Sequence, residues 1–153
     1  MVQVLLPLVL IASGFAAGGL MIAVLGGAPL QFVLPVERYI PVHQFLTTRF
    51  DPFMPINLAG GFILDVVLLF AAPTTAARIL CGIAGLFLVS AMLVSITKNY
   101  PINKWVAKLD PDNLPENWAE LDPRVKWRNW NAVRATFAVI ALVANVTAVG
   151  TLL

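Results

Sequence analysis

The stretch "VLLPLVLIASGFAAGGLMIAVLGGAPL", residues 4–30, decides the fold, because no charged side chain interrupts it. About 20 apolar residues of helix cross the ~30 Å hydrocarbon layer of a bilayer, so this run is long enough to span one by itself. Its apolar residues are continuous. A membrane barrel strand would alternate at every second position over about ten residues. The predicted element is therefore a helix. No Lys or Arg precedes Arg38, and the run exceeds the roughly 7–15 apolar residues of a secretory signal. It is read as a retained membrane helix.

The same pattern recurs along the chain. Residues 79–97 and 135–153 carry no charge, and residues 53–75 carry one, Asp65. The 153 residues are 12% charged, about half the proportion of a soluble domain, and the deficit is concentrated in these runs. The expectation is an all-α bundle of four transmembrane helices, forming one integral membrane domain over residues 1–153 in contact with a lipid bilayer. The single cysteine, Cys81, excludes an internal disulfide and a Cys-based metal cluster. The net charge of +2 does not argue for a nucleic-acid partner, since the basic residues follow a membrane pattern.

That pattern also orients the bundle. Of the 10 Lys and Arg residues, all but Arg78 fall in the two connections between helices one and two and between three and four, or at the start of helix four. The positive-inside rule then places both long connections on the cytoplasmic or equivalent side and both termini on the outer side. "FAAPTTAAR", residues 70–78, is a tight turn between antiparallel neighbours. Prolines 35, 41, 52 and 55 are expected to break the first connection, leaving a short interfacial helix from Pro41 to about Phe50. The second, "LDPDNLPENWAELDPRVKW" (109–127), reads as an ordered cap at headgroup level, where Trp concentrates. Two GxxxG glycines, Gly14 and Gly18, and two in helix three, Gly82 and Gly85, are expected to let helices approach closely.

Polar residues inside such helices are the candidates for function. At 100° per residue, Trp127, Arg134, Ala141 and Asn145 fall within about 40° of one another, with Asn131 and Ala138 nearby. Unpartnered polar groups in hydrocarbon are costly, so this stripe should face the interior. Arg134 then either snorkels to headgroups or holds a ligand, and Asn145 bonds a neighbouring helix. Asp65, ~15 Å into helix two by helical rise, is protonated, paired or lining a polar cavity. His43, the one histidine, has the side chain suited to proton transfer near neutrality, but it lacks the second His, thiolate or nearby carboxylate of a metal site. His43 and Asp65 are the candidate bases.

"KNYPINKW", residues 98–105, reads first as a helix exit: Asn99 and the residue before Pro101 disfavour continued helix, and Lys98, Lys104 and Trp105 anchor the interface. Together with "WRNWNAVR" (127–134) opening the fourth helix, it resembles the anthrone oxygenase-like family of small four-helix membrane proteins. The resemblance covers nearly the whole chain and is carried by Asn99, Pro101, Asn103, Trp127, Asn131 and Arg134. It implies oxidation of a flat aromatic by molecular oxygen with no metal or flavin, hence no cofactor, with a base to form a carbanion and donors to steady an enolate oxygen. Asn99, Asn103, Trp127, Asn131, Arg134 and Asn145 are the expected ligand-binding residues.

Three functions follow from these readings. The scarcity of catalytic groups favours an accessory or structural subunit of a larger membrane complex, partnered by other membrane subunits or by further copies of itself. The alternative is a cofactor-free oxygenase acting on a hydrophobic aromatic or quinol. A third is a binder of lipid or quinone that does not turn it over. An enzyme should show a pocket of several hundred Å³ near Asp65, Asn131 and Arg134.

Overall fold

A computed structural model describes residues 1–152, and every regular element among them is helical. Three long helices, α1 (Val2–Val33), α2 (Val36–Ala71) and α3 (Thr75–Val106), are followed by a single turn, α4 (Trp118–Leu121), and a final long helix, α5 (Arg124–Gly150). All four long elements are long and apolar enough to cross a membrane. The chain is a multi-pass membrane protein, and lipid is its environment.

α1 and α3 each pack against both α2 and α5. The chain thus runs up and down around a ring, α1–α2–α3–α5. Met1, Pro73 and Leu152 line one surface depression, which places both ends of the described chain and the α2–α3 turn together. The cap lies at the opposite end.

Small residues make the interior. Ala16, Ala84, Ala91, Ala138 and Ala141 are fully buried where the helices cross. Lipid tails are as apolar as leucine, so close backbone approach and dispersion, rather than escape from water, hold such a bundle together. The α5 stripe faces inward as expected: Trp127, Asn131, Ala138, Ala141 and Asn145 are buried, Arg134 is half-buried, and Val143 and Val146 are exposed. Gly85 is a true close contact, since a Cβ there would lie 3.3 Å from Cβ of Asp65. The GxxxG pair behaves differently. Gly14 and Gly18 have no neighbour within 4 Å of an added Cβ, because they face outward.

The prolines correct two sequence expectations. α2 is one continuous helix of 36 residues, with Pro41, Pro52 and Pro55 inside it and no interfacial break. The carbonyls these prolines leave without a helical N–H belong to Glu37, Thr48 and Asp51, all exposed and in the charged half of the helix. Exposure there leaves these carbonyls open to solvent, which can replace the lost bond as lipid could not. The third helix also does not stop at Asn99. It passes through a π turn, Ser95–Asn99, and continues as Tyr100–Val106 with its proline in the first turn. α1 repeats the device, with a π turn at Ala23–Gly27 ahead of Pro29. A proline cannot donate to the carbonyl four residues earlier, and one extra residue in the turn absorbs that defect without ending the helix.

At 36 residues, α2 is ~54 Å long, well beyond the ~30 Å of hydrocarbon. Charge locates the excess. From the end bearing Met1 and Pro73, the first charged side chains beyond the apolar zone are Asp51 on α2, Lys98 on α3 and Arg134 on α5. The π turns of α1 and α3 lie at this boundary.

Candidate functional site

Three local irregularities at that boundary open a cavity of about 380 Å³ among the four long helices. The α1 π turn lines it through Ala23, Gly26 and Gly27, the α3 π turn through Ser95 and Ile96, and α2 through Pro55. Widened turns hold neighbouring helices apart, and such turns recur at functional sites. The wall is largely apolar, formed by residues such as Leu20, Phe50, Met54, Leu58 and Met92. Ile22 and Ile96, 61% and 59% exposed, stand at its edge, so the cavity is open at the surface of the bundle.

The polar lining groups are few: Thr47, Asp51, Ser95, Tyr100, Asn103, Trp127 and Arg134. Arg134 is held from two sides. Its Nε donates to Oδ1 of Asn131 at 3.0 Å, Nη2 donates to the same oxygen, and Nη1 donates to Oγ of Ser95 at 3.2 Å. Asn131 is itself tied by Nδ2 to the carbonyl of Trp127 at 2.8 Å, and Nδ2 of Asn99 approaches that carbonyl at 3.3 Å.

A buried relay continues from Trp127 towards the cap. Its indole N–H donates to Oδ1 of Asn103 at 2.9 Å, and Nε2 of His43 meets the same oxygen at 3.2 Å. Indole nitrogen can only donate, which fixes the orientation of the Asn103 amide and makes His43 Nε2 a donor. Nδ1 of His43 lies 3.0 Å from the side-chain amide of Gln31, whose placed nitrogen has no partner. Rotating that amide by half a turn gives Gln31 nitrogen as donor to Nδ1 and leaves a neutral, Nε2-protonated imidazole. His43 is fully buried and edge-on to Trp127, 5.1 Å between centroids.

The cap closes this layer. Trp105 and Trp118 stack at 6.0 Å, and Gln44 donates to the carbonyls of Val106 and Leu109. Arg124 bonds the carbonyls of Gln31 and Leu34 at 3.1 Å each, pairs with Asp122 at 2.6 Å and lies over Tyr39. Burial pushes the Asp122 carboxyl up, but hydrogen bonds from the Arg124 side chain and backbone and its charge outweigh this, leaving it below the usual range.

His43, Asn99, Asn103, Trp127, Asn131 and Arg134 thus form one connected network, of which Asn103, Trp127 and Arg134 reach the cavity. Asp65 and Asn145 lie apart. They meet across the bundle, Nδ2 of Asn145 3.4 Å from Oδ2 of Asp65, and do not line the cavity. Sequence reading missed Asp51, Thr47, Ser95 and Gln31. A usable signal existed for Asp51: it precedes Leu58 and Asp65 by steps of seven, so a helix continuous through Pro52 puts all three on one face.

A family model described as anthrone oxygenase matches residues 46–144. The match includes every cavity residue of α2, α3 and α5 and leaves out α1, His43 and Asn145. No curated protein matches the chain, and no solved structure does.

Proposed function

The chain belongs to the anthrone oxygenase family, and from that premise we propose that it is a cofactor-free oxygenase whose substrate is a flat, hydrophobic phenolic ketone or quinol drawn from the bilayer. One observation carries this reading: an apolar cavity of about 380 Å³ on which Arg134 and Asp51 are the charged lining groups. That volume lies within the ~300–1,000 Å³ of small-molecule sites.

Each residue has a task that fits its place. Asp51 takes the acidic C–H proton of the substrate, a role that falls to it because His43 and Asp65 do not line the cavity. Arg134 and the side-chain nitrogen of Asn103 steady the negative oxygen of the resulting enolate. The enolate carbon transfers one electron to oxygen, the radical pair combines into a peroxide anion, and Asp51 returns its proton to give the hydroperoxide. Loss of water from it leaves a new carbonyl. One oxygen atom enters the product and the other leaves as water, so the four-electron oxidation of the methylene balances the reduction of O2. The His43 relay positions Asn103 and Trp127 at the cavity wall.

The test is oxygen consumption and quinone formation by the purified protein given anthrone. Wild type should consume one O2 per quinone formed, and Asp51→Asn should fall towards the uncatalysed rate while still binding the product. Equal rates for wild type, Asp51→Asn and empty detergent micelles would overturn the assignment.

A second reading, an accessory subunit or self-associating protein, is favoured by the outward face of α1, where Gly14 and Gly18 stand open beside exposed Ile11 and Phe15. Native mass spectrometry after gentle extraction separates the readings: co-migration with a large complex at fixed stoichiometry supports the accessory role.

A further inference from the structure

One fully buried carboxyl of the bundle has no part in the cavity chemistry. Asp65 is 0% exposed, and it lies between α2 and α5 on the termini side of Arg134. Its Oδ2 receives a long bond, 3.4 Å, from Nδ2 of Asn145, while its Oδ1 has no partner. Oδ1 of Asn145 is likewise buried and without a partner. Two buried acceptors are therefore left over in a single side-chain pair, and no donor from elsewhere reaches either.

The surroundings supply no counter-charge. α1 contributes no charged or titratable side chain anywhere along its length. α3 contributes Cys81, a buried thiol, and Arg78, whose Nε is turned to the carbonyl of Ala72 at 2.7 Å. α5 carries no charged side chain beyond Arg134, which is bonded to Asn131 and Ser95. Gly85 closes over the site, leaving only 3.3 Å between an added Cβ and Cβ of Asp65. An ionised carboxylate here would face hydrocarbon with one weak amide donor, a costly state. One added proton removes every mismatch. A carboxylic acid has one O–H donor, and the leftover amide oxygen needs one.

We infer that Asp65 is a proton-binding site, its acid O–H donating to Oδ1 of Asn145 while Nδ2 of Asn145 donates back. This two-bond ring joins α2 to α5, a diagonal pair of the bundle.

Infrared spectroscopy of the full chain in detergent at neutral pH tests this directly. A protonated-carboxyl carbonyl band should be present in wild type, shift in heavy water and vanish in Asp65→Asn. In Asn145→Leu it should move to the higher frequency of an acid without a partner. Absence of such a band in wild type, or its survival in Asp65→Asn, overturns the inference. Should either variant fail to fold, carbon-13 aspartate labelling of wild type and, separately, of Asp51→Asn decides the matter. An isotope-shifted acid band at neutral pH supports the site, and a spectrum of carboxylate bands alone overturns it.

Discussion

Arg134 and Asn131, one turn apart on α5, are locked together: two nitrogens of the guanidinium close on the same amide oxygen. With Ser95 taking a third bond, two of the five guanidinium N–H donors remain for a ligand. A residue that merely snorkelled to headgroups would need no such restraint. In the oxygenase reaction proposed above, a fork fixed in advance would present its free edge to charge developing on a substrate oxygen, with little reorganisation at the moment of reaction.

Substituting Arg134 should therefore separate charge from geometry. Arg134→Ala should lower kcat by about a hundredfold or more, the usual scale for losing an oxyanion donor. Arg134→Lys keeps the charge but cannot make the forked contacts, so it should recover only a small part. Steady-state rates of quinone formation check both, and full activity of the lysine variant would show that the fork is dispensable.

Asn103 accepts from both Trp127 and His43 through one oxygen. Asn103→Leu leaves two buried donors without a partner, at about 1–3 kcal/mol each. Thermal unfolding in detergent should show a lower midpoint for this variant. His43→Phe should cost less, because it leaves one buried donor, the Gln31 amide, without a partner instead of two.

Much of this was legible in the chain, and the reasons differ by residue. Apolar runs of about the length that crosses a bilayer, with Asp65 the one charged residue among them, indicated the number and kind of helices. The inward stripe of α5 followed from periodicity alone, since Trp127, Asn131 and Asn145 could not face lipid unpaired. The cavity was not legible, because it depends on how prolines are absorbed. Pro101 reads as a break and Pro29 gives no signal, yet the structure places a π turn ahead of each, and both turns line the space beside Arg134. Asp51 was hidden for the same reason, its helix having been divided at Pro52. Gln31 gave no signal, since its partner His43 lies on another helix.

Glycines sort into two classes that a single measurement separates. An added Cβ at Gly61 would lie 2.9 Å from Cδ1 of Leu88, which is fully buried. Gly61→Ala should destabilise by about 1–3 kcal/mol through overpacking, and adding Leu88→Ala should restore part of that loss. Gly14→Ala and Gly18→Ala meet open space, so thermal stability of the monomer should stay unchanged. A loss confined to an oligomeric form would instead place a partner on that face of α1.

The cap should respond to acid through one pair. Asp122 is held below its usual range, burial raising it and the stronger effects of Arg124 lowering it. A group lowered on folding contributes its full stabilisation above the unfolded value, about 3.9 for aspartate, and loses it as pH falls through the lower folded value. Stability of wild type should thus be insensitive to this pair from neutrality down to about pH 5 and should fall more steeply below about pH 4. Asp122→Asn should be less stable at neutral pH, by about 1–3 kcal/mol for lost charge-assisted bonds, and should lack that acid slope. Arg124→Gln should behave alike and also free the carbonyls of Gln31 and Leu34, loosening the end of α1 that carries Gln31 to His43. Hydrogen exchange at residues 28–34 reads that loosening directly. Parallel acid slopes in wild type and Asp122→Asn would show that the pair does not hold the cap.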